Sequence, residues 1–317
     1  MARASFVVAQ VGPLVTIQDR GRPRLMRFGV PASGPMDRCA YEIAQAALGE
    51  RAPGPALEVS VGGLALECVA GAVTVAIAGG GFTAALDRLA FGSWFVVTIR
   101  AGARLSIRPG PWGSWTYLAF AGRLTSAEWL GAAATHLSSG LGGGRLAAGQ
   151  RLEIEDAEVR EARSGLIACP VWARPREEVK IVFGPQERFF PPRALEALVA
   201  EPFRLTDSYD RMGVRLSGPS LAPSAKLDMP SEPIARGSIQ VSGDGVATVL
   251  LADHQTAGGY PKIATVVSDQ LDGFAQLRPR QRVRFTAVPP LAANTALRTR
   301  AAIRERFLEQ LRTKGRR

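Results

Sequence analysis

The sequence predicts a mainly β protein of barrel or sandwich type, and three observations carry the prediction. Short runs that alternate apolar and polar residues recur along the whole chain. Gly, Pro, Asp and Ser punctuate them at close intervals. Helical periodicity is confined to a few stretches. In the first half the strand-like runs are Ser5–Gln10, Leu14–Gln18, Leu64–Val69, Val73–Ala78, Trp94–Arg100, Arg104–Arg108, Trp115–Ala121 and Arg151–Glu155. In the second half they are Val179–Phe183, Phe203–Thr206, Gly213–Leu216, Ala247–Ala252, Ile263–Val267 and Arg282–Thr286.

The clearest helix runs from about Pro35 to Leu48. Pro35 suits the first helical position, and Asp37 then falls in the first turn, where the helix dipole favours a negative charge. Ala40, Ile43, Ala44, Ala47 and Leu48 form its apolar face, and Gly49 is its stop. Pro192–Ala200 predicts a second helix and Ala127–Ala134 a short third. Asp156–Arg176 mixes charge, Pro and Gly without periodicity and reads as a linker. Beyond Pro289-Pro290 the tail reads as a helix with Ile303, Phe307 and Leu311 on one stripe, packed on the body or on a partner.

At 317 residues, 46% of them hydrophobic, the chain suits two domains with sizeable cores. The expected divisions are an N-terminal β domain over 1–165, a C-terminal β domain over 176–290 and a basic helical tail over 291–317. No apolar run approaches the roughly 18 residues of a membrane span, and the N-terminus lacks a signal-peptide pattern, so the expectation is a cytoplasmic protein. Cys39, Cys68 and Cys169 are odd in number and far apart, which suggests neither a disulfide framework nor a zinc site. With only His136 and His254 present, a multi-histidine metal centre is excluded. The net charge of +11 raises the question of nucleic acid. Residues 291–317 hold eight basic and two acidic residues, so the tail carries +6 of that surplus, and a solvated tail is the favoured reading.

Four stretches look built for chemistry. In the first, Thr16–Arg22 is followed by Phe28–Asp37, a polar turn leading through Gly and Pro to a helix N-terminus. Such a terminus suits a carboxylate, phosphate or oxyanion, and Arg22 could add a bidentate contact. The competing reading is a Gln/Asp/Arg network that caps the helix. The second is Ala252–Lys262, where Gln, Thr, Tyr and Lys converge on a loop with two glycines. Gln255 can donate to and accept from an amide, and Lys262 can stabilise an oxyanion. A hairpin loop of exposed polar groups is the alternative, with His254 at the surface. The third is Asp207–Gly213, with Ser231-Glu232 and Gly237–Gln240 downstream. Here Asp210 and Arg211 read as a pair, structural or catalytic, and Met212 as a pocket wall. The fourth, Ser139–Arg145, is a flexible glycine loop without the Gly-Lys-Ser/Thr of a nucleotide-binding loop. No biotin-attachment sequence is present either, so no cofactor is expected on this chain alone.

Six pieces recur in order: Gln18-Asp19-x-Gly21-Arg22; Gly29-Val30-Pro31-x-Ser33-Gly34-x-Met36-Asp37; Leu57-Glu58; Asp210-Arg211-Met212-Gly213; Gly237-Ser238-Ile239-Gln240-Val241; and Gln255-Thr256-x-Gly258-Gly259-Tyr260-Pro261-Lys262-Ile263-Ala264. In this order the chain resembles the family of biotin-dependent carboxyltransferases and 5-oxoprolinase C subunits. That family includes KipA, allophanate hydrolase subunit 2 and the urea carboxylase carboxyltransferase A/B region. The resemblance implies two cyclophilin-like β-barrel domains, like carboxyltransferase subdomains A and B. It implies the C subunit of an ATP-dependent 5-oxoprolinase, which hydrolyses 5-oxo-L-proline to L-glutamate. The implied partners are a KipI-like B subunit and a LamB/YcsF-like A subunit, with ATP used by the complex. The alternatives are a carboxyltransferase component of a urea or amide carboxylase, with biotin on a partner chain, and a non-catalytic antagonist of a KipI-like kinase inhibitor.

Carried over by position, Lys262, Asp37 and Asp19 are the implied catalytic residues. Lys262 is assigned to oxyanion stabilisation, and Asp37 or Asp19 to orienting a basic group or accepting a proton. Gln18, Arg22, Ser33, Gly34, Gln255, Thr256, Gly258, Gly259 and Tyr260 are the implied substrate-binding residues. Arg24 and Leu25 stand where the family usually has Gly-Tyr, Gln150 where it has Asp and Ser242 where it has Pro. Such departures alter a substrate more readily than a fold.

Overall fold

The computed structural model describes residues 2–224 and 229–314. They divide into two compact units. One is drawn from Met1–Arg22, Ser33–Arg174 and Ile303–Arg317, the other from Pro23–Ala32 and Pro175–Ala302. Both are built mainly of strands, as the alternating pattern predicts.

The first unit holds two antiparallel sheets. One has seven strands, ordered Arg123–Leu124, Arg151–Glu155, Arg3–Val11, Leu64–Ala70, Arg104–Trp112, Gly81–Leu86 and Leu89–Gly92. The other has six, ordered Gly165–Leu166, Phe95–Arg100, Ala72–Ala78, Trp115–Phe120, Ala56–Ser60 and Thr16–Gln18. Alternation along Arg3–Val11 turns Ala4, Phe6 and Val8 inward, and the Phe6 ring meets Phe120 at 5.8 Å. Ala56–Ser60 and Trp115–Phe120 are buried at every position, so any polar group on them must find its partners inside the protein.

Glu58 is such a group. Its cross-strand neighbour Tyr117 donates to Glu58 Oε2 at 2.7 Å, and the Met36 amide donates to the same oxygen at 2.8 Å. The Tyr117 hydroxyl in turn accepts the Asp37 amide at 2.8 Å. Burial, reinforced by the Glu58 carboxylate, pushes the Tyr117 phenol well above its ordinary range. Tyr41, edge-on to Tyr117 at 6.0 Å, is also pushed up, chiefly by burial.

This network ends at helix α1, Arg38–Ala47. The helix starts later than the sequence suggests. Asp37 is its N-cap, with Oδ1 accepting the Ala40 amide at 2.8 Å, so Pro35 lies outside the helix and Asp37 before its first turn. The Ala127–Ala134 stretch is not helical. Leu130 and Gly131 take positive φ, and the carbonyls of Trp129, Ala132 and Ala134 all accept from Arg22. A helix there would turn those carbonyls onto its own amides.

The second unit is organised by a closed barrel. Its strands run, around the barrel, Glu178–Phe183, Lys262–Val266, Ser238–Val241, Ala247–Leu250, Gly213–Ser217, Phe203–Tyr209 and Arg282–Ala287. A parallel pairing of Arg282–Ala287 with Glu178–Phe183 closes it. Ile181, Val214, Ile239, Val249 and Ile263 are fully buried within the unit. Helix α2, Pro192–Ala200, packs against Arg282–Ala287, and α3 spans Leu271–Ala275. Outside the barrel, Glu232–Pro233 pairs with Ala257–Gly258 as a small ribbon.

The expected ion pair of this unit changes partner. Arg211 pairs not with Asp210 but with Asp253, in a bidentate contact of 2.9 Å for each bond, with both side chains buried. Asp210 instead accepts the Met212 and Gly213 amides and shapes the turn. The tail is a long helix, α4, Pro290–Thr313. Leu308 and Leu311 are its buried residues near the end, and Phe307 meets Trp172 edge-on, whereas Ile303 is exposed. Arg163, in the stretch read as a linker, donates to the Leu311 and Arg312 carbonyls at the end of α4 and to the Ala47 carbonyl at the end of α1.

Both buried networks are open to measurement. Asp253→Ala removes the bidentate partner of a buried guanidinium and should lower unfolding stability by about 3–5 kcal/mol in urea titration, while Arg211→Met with Asp253→Leu should cost less. For Tyr117, a folded pKa above the unfolded value of 10.0 gives stability that is present below that value and lost as pH rises past it. Alkaline titration followed at the tyrosinate absorbance should therefore show Tyr41 and Tyr117 ionising only as the chain unfolds. Tyr117→Phe should weaken this alkaline loss and cost about 1–3 kcal/mol near neutral pH, since the Asp37 amide and Glu58 lose a partner.

Candidate functional site

In the first unit the candidate residues follow the strand Thr16–Gln18. Asp19 accepts the Gly21 amide at 2.8 Å, Ala133 at 2.7 Å and Ala134 at 3.1 Å, so both carboxylate oxygens brace the turn. Arg22 is buried. Its Nε reaches the Trp129 carbonyl at 2.8 Å, its Nη2 reaches Ala132 at 3.1 Å and Ala134 at 2.7 Å, and its guanidinium lies 4.9 Å from the Trp129 ring centre. These contacts make Asp19 and Arg22 clamps on the 129–134 segment. The Nε and Nη2 of Arg22 are thus engaged by carbonyls within the fold.

Gln18 and Ser33 differ from those clamps. Gln18 is fully buried and its Nε2 donates to Thr16 Oγ1 at 3.0 Å and to the Thr135 carbonyl at 3.1 Å, but its Oε1 has no hydrogen-bond partner among the described residues. Ser33 is buried with φ +53°, and its Oγ likewise has none. Gly34 follows in the left-handed region at φ +87°. Buried polar atoms left unmatched by protein cost free energy and mark places where a ligand can add hydrogen bonds. Asp37 sits two elements further on as the α1 cap, tied through its amide to Tyr117 and Glu58. Glu58 stands in the sequence only as part of a motif, with no role assigned to it. Its signal is a carboxylate inside an otherwise apolar strand, Ala-Leu-Glu-Val-Ser.

The glycine loop is packed rather than free. Gly140 donates to the His136 carbonyl at 3.0 Å, Gly143 to Ala133 at 2.7 Å and Gly144 to Thr135 Oγ1 at 2.9 Å. A Cβ on Gly142 would lie 2.2 Å from the Ala134 carbonyl oxygen. Three of the loop amides, those of Gly140, Gly143 and Gly144, are therefore already engaged. No group of three His, Cys, Asp or Glu side chains able to hold a metal occurs among the described residues.

In the second unit, Lys262 opens the barrel strand Lys262–Val266 and its side chain is 2% exposed. Its Nζ has no hydrogen-bond partner among the described residues, and the carboxylate of Glu232 lies 3.8 Å away. Buried Gln186 touches both. Its Oε1 accepts the Lys262 amide at 2.8 Å and its Nε2 donates to Glu232 Oε2. Gln255 donates from Nε2 to Gln240 Oε1 at 3.2 Å, and Gln240 Nε2 donates to the Tyr260 carbonyl at 3.4 Å. A Cβ on Gly258 would stand 3.0 Å from Gln240 Nε2 and 3.4 Å from Gln255 Nε2, which puts both amides under this turn.

Other loop residues have quieter places. The Thr256 carbonyl accepts the Ile234 amide at 3.1 Å, Gly259 follows Gly258 around the turn, and Tyr260 is 56% exposed. His254 is buried, not at the surface, with Nδ1 at 2.7 Å from the Gln255 carbonyl oxygen. Its neighbour Asp253 anchors the loop through Arg211. Sequence reasoning missed Gln186 as a candidate, and it named Glu232 only within the third stretch, without a role. Gln186 lies 76 positions before Lys262, and only barrel register brings them together.

Comparison with known proteins agrees with the motif-based resemblance. A model of the carboxyltransferase domain, subdomain A and B, matches residues 28–287. The chain is 31% identical over 315 residues to the 5-oxoprolinase C subunit of Haemophilus influenzae, covering 96% of this chain and 97% of that protein. Among solved structures, TTHA0988 superposes with a TM-score of 0.80 at 31% identity, covering 89% of this chain and 55% of that one. This chain thus spans about half of that protein's length. The Kluyveromyces lactis urea carboxylase shares the fold, with a TM-score of 0.84 at 21% identity over 98% of this chain and 30% of the larger protein. With its family model spanning both compact units and a relative matched almost end to end, this chain belongs to the family of the carboxyltransferase domain, subdomain A and B.

Proposed function

We propose that this chain is the C subunit of an ATP-dependent 5-oxoprolinase assembly and helps open the lactam of 5-oxo-L-proline to give L-glutamate. The observation that carries this reading is length. The match to the 5-oxoprolinase C subunit covers 96% of this chain and 97% of the relative, whereas the urea carboxylase likeness takes in 30% of that larger protein. The two compact units stand, in this proposal, for the subdomains A and B of the family. The assembly partners are a KipI-like B subunit and a LamB/YcsF-like A subunit.

Lys262 carries the chemistry proposed for this chain. When a nucleophile adds to a lactam carbonyl, negative charge develops on oxygen. A buried ammonium with hydrogen atoms to donate stabilises that charge far better than it would in water. Gln255 and Gln240 offer amide groups beside the loop, suited to the polar edges of a small amide. In the first unit, Gln18 Oε1 and Ser33 Oγ are the atoms with hydrogen-bonding capacity to give a ligand. Asp19, Arg22 and Asp37 act in this scheme by holding the backbone around them. The glycine loop lacks the Gly-Lys-Ser/Thr of a nucleotide-binding loop and three of its amides are engaged, so nucleotide chemistry is assigned to the partner subunits. Biotin belongs to the alternative reading, as a group carried on another chain.

The test is ATP-dependent glutamate formation from 5-oxoproline by the complex captured on this chain from its native cells. Glutamate should form, avidin should leave the rate unchanged, and Lys262→Ala should lower kcat by about 10²–10³-fold, the usual loss for one oxyanion donor. Turnover that stops on adding avidin would instead assign the chain to a biotin-dependent carboxylase.

A further inference from the structure

Lys262 Nζ and Glu232 Oε2 are opposite charges 3.8 Å apart, yet the gap is too long for a hydrogen bond. The pair is held open rather than closed. Gln186 holds it, with one amide bonded at once to the Lys262 backbone and to the Glu232 carboxylate. The ribbon pairing of Glu232 with Gly258 fixes the acidic residue from the other side. The two charges also differ in access. The Lys262 side chain is 2% exposed and the Glu232 side chain 41%, so the carboxylate is the more accessible of the two.

A ligand that satisfies both groups must accept from Lys262 and donate to Glu232 along one edge. An anionic group fits this pair poorly, because the carboxylate repels what the ammonium attracts, so 5-oxo-L-proline would meet it through its neutral lactam edge. A neutral amide in the cis form fits well, because its C=O and N–H point to the same side. In that edge the oxygen and nitrogen lie about 2.2 Å apart by standard bond lengths. Hydrogen bonds of about 2.9 Å, parallel or slightly splayed, then end on partners roughly 2–4 Å apart. The observed spacing lies inside that window. An open-chain secondary amide is trans and puts its N–H and C=O on opposite edges. It can engage one partner at a time. Rings of lactam size lock the cis form, and urea presents the same edge.

We propose that Lys262 and Glu232 together read the syn C=O and N–H of a cis amide, with Gln186 as the positioning residue, so that the site selects lactams and ureas over open-chain secondary amides. This deepens the function proposed above and rests on Lys262 facing the substrate. It makes Glu232 the specificity-determining residue.

The test uses the full-length chain and three neutral probes, with binding measured by ligand-observed NMR titration. 2-Pyrrolidone has the cis N–H, N-methyl-2-pyrrolidone lacks it, and N-methylacetamide is trans. The wild-type chain should bind 2-pyrrolidone at least about tenfold more tightly than either other probe, the scale of one hydrogen bond to a charged group. Glu232→Ala should abolish the preference between the two lactams, and Lys262→Ala should weaken both. Equal binding of the two lactams by the wild-type chain overturns the inference, as does a preference that survives in Glu232→Ala, or no lactam binding at all. The wild-type comparison needs no variant and holds if a substitution impairs folding. Glutamate formation by the assembly together with equal lactam binding overturns this inference alone. Lactam selectivity without 5-oxoproline turnover supports it and removes the function proposed above.

Discussion

Taking a carboxylate or guanidinium out of water costs several kcal/mol unless the protein supplies matched hydrogen bonds, and each unit is arranged around meeting that cost. In the first, Glu58 lies in the middle of a fully buried strand, and the Tyr117 hydroxyl and Met36 amide converge on one of its oxygens. Because Tyr117 also accepts the Asp37 amide, the same network sets where α1 begins. In the second, Arg211 and Asp253 neutralise each other in bidentate geometry at the root of the Ala252–Lys262 loop. Against this background of matched groups, Gln18 Oε1, Ser33 Oγ and Lys262 Nζ are among the buried atoms for which the described protein supplies no hydrogen-bond partner. Matching fixes the scaffold, and in the proposed reading these three atoms are the ones left for a substrate.

Much of the fold was legible because strand alternation and turn chemistry are local signals. Arg3–Val11, Leu64–Ala70 and Lys262–Val266 fall close to where alternation put them. The helix Arg38–Ala47 was also legible, though its start was misplaced. Pro35 and Asp37 suit either a first turn or the residues before it, and the choice rests on Asp37 capping the Ala40 amide. Ala127–Ala134 failed for a different reason. Its composition favours a helix, but Arg22, more than a hundred positions earlier, takes three of its carbonyls. Propensity is a weak prior when a buried guanidinium needs acceptors.

The candidate residues could be named from the sequence, but what their side chains bond to could not. Asp19, Arg22 and Asp37 have the residue types of catalysis, yet their visible bonds are to backbone groups that shape turns and a helix end. Arg211 was paired with its sequence neighbour, although the barrel puts Asp253 opposite it, 42 positions away. His254 gave no local sign of burial. Nor did the sequence distinguish a basic tail that binds polyanions from one tied to its own fold. Several of those arginines have acidic partners: Arg300 with Asp269, Arg304 with Glu42 and Arg312 with Glu305.

The placement of Lys262 and Glu232 divides precision from choice. Lys262 has its backbone in the barrel ladder, where Gln240 is its cross-strand partner and the flanking Ile239 and Ile263 are fully buried. Glu232 lies on a two-residue strand outside the barrel and keeps much of its side chain in solvent. A group that stabilises charge must be fixed, since a displaced donor loses most of its effect. A group that discriminates among substrates can sit on a small peripheral ribbon, where substitution leaves the core intact. Gln186 reconciles the two demands by tying the peripheral carboxylate to the barrel backbone with one side chain. In the proposed reading, an exchange at Glu232 changes which amides are admitted while the Lys262 backbone keeps its place in the barrel.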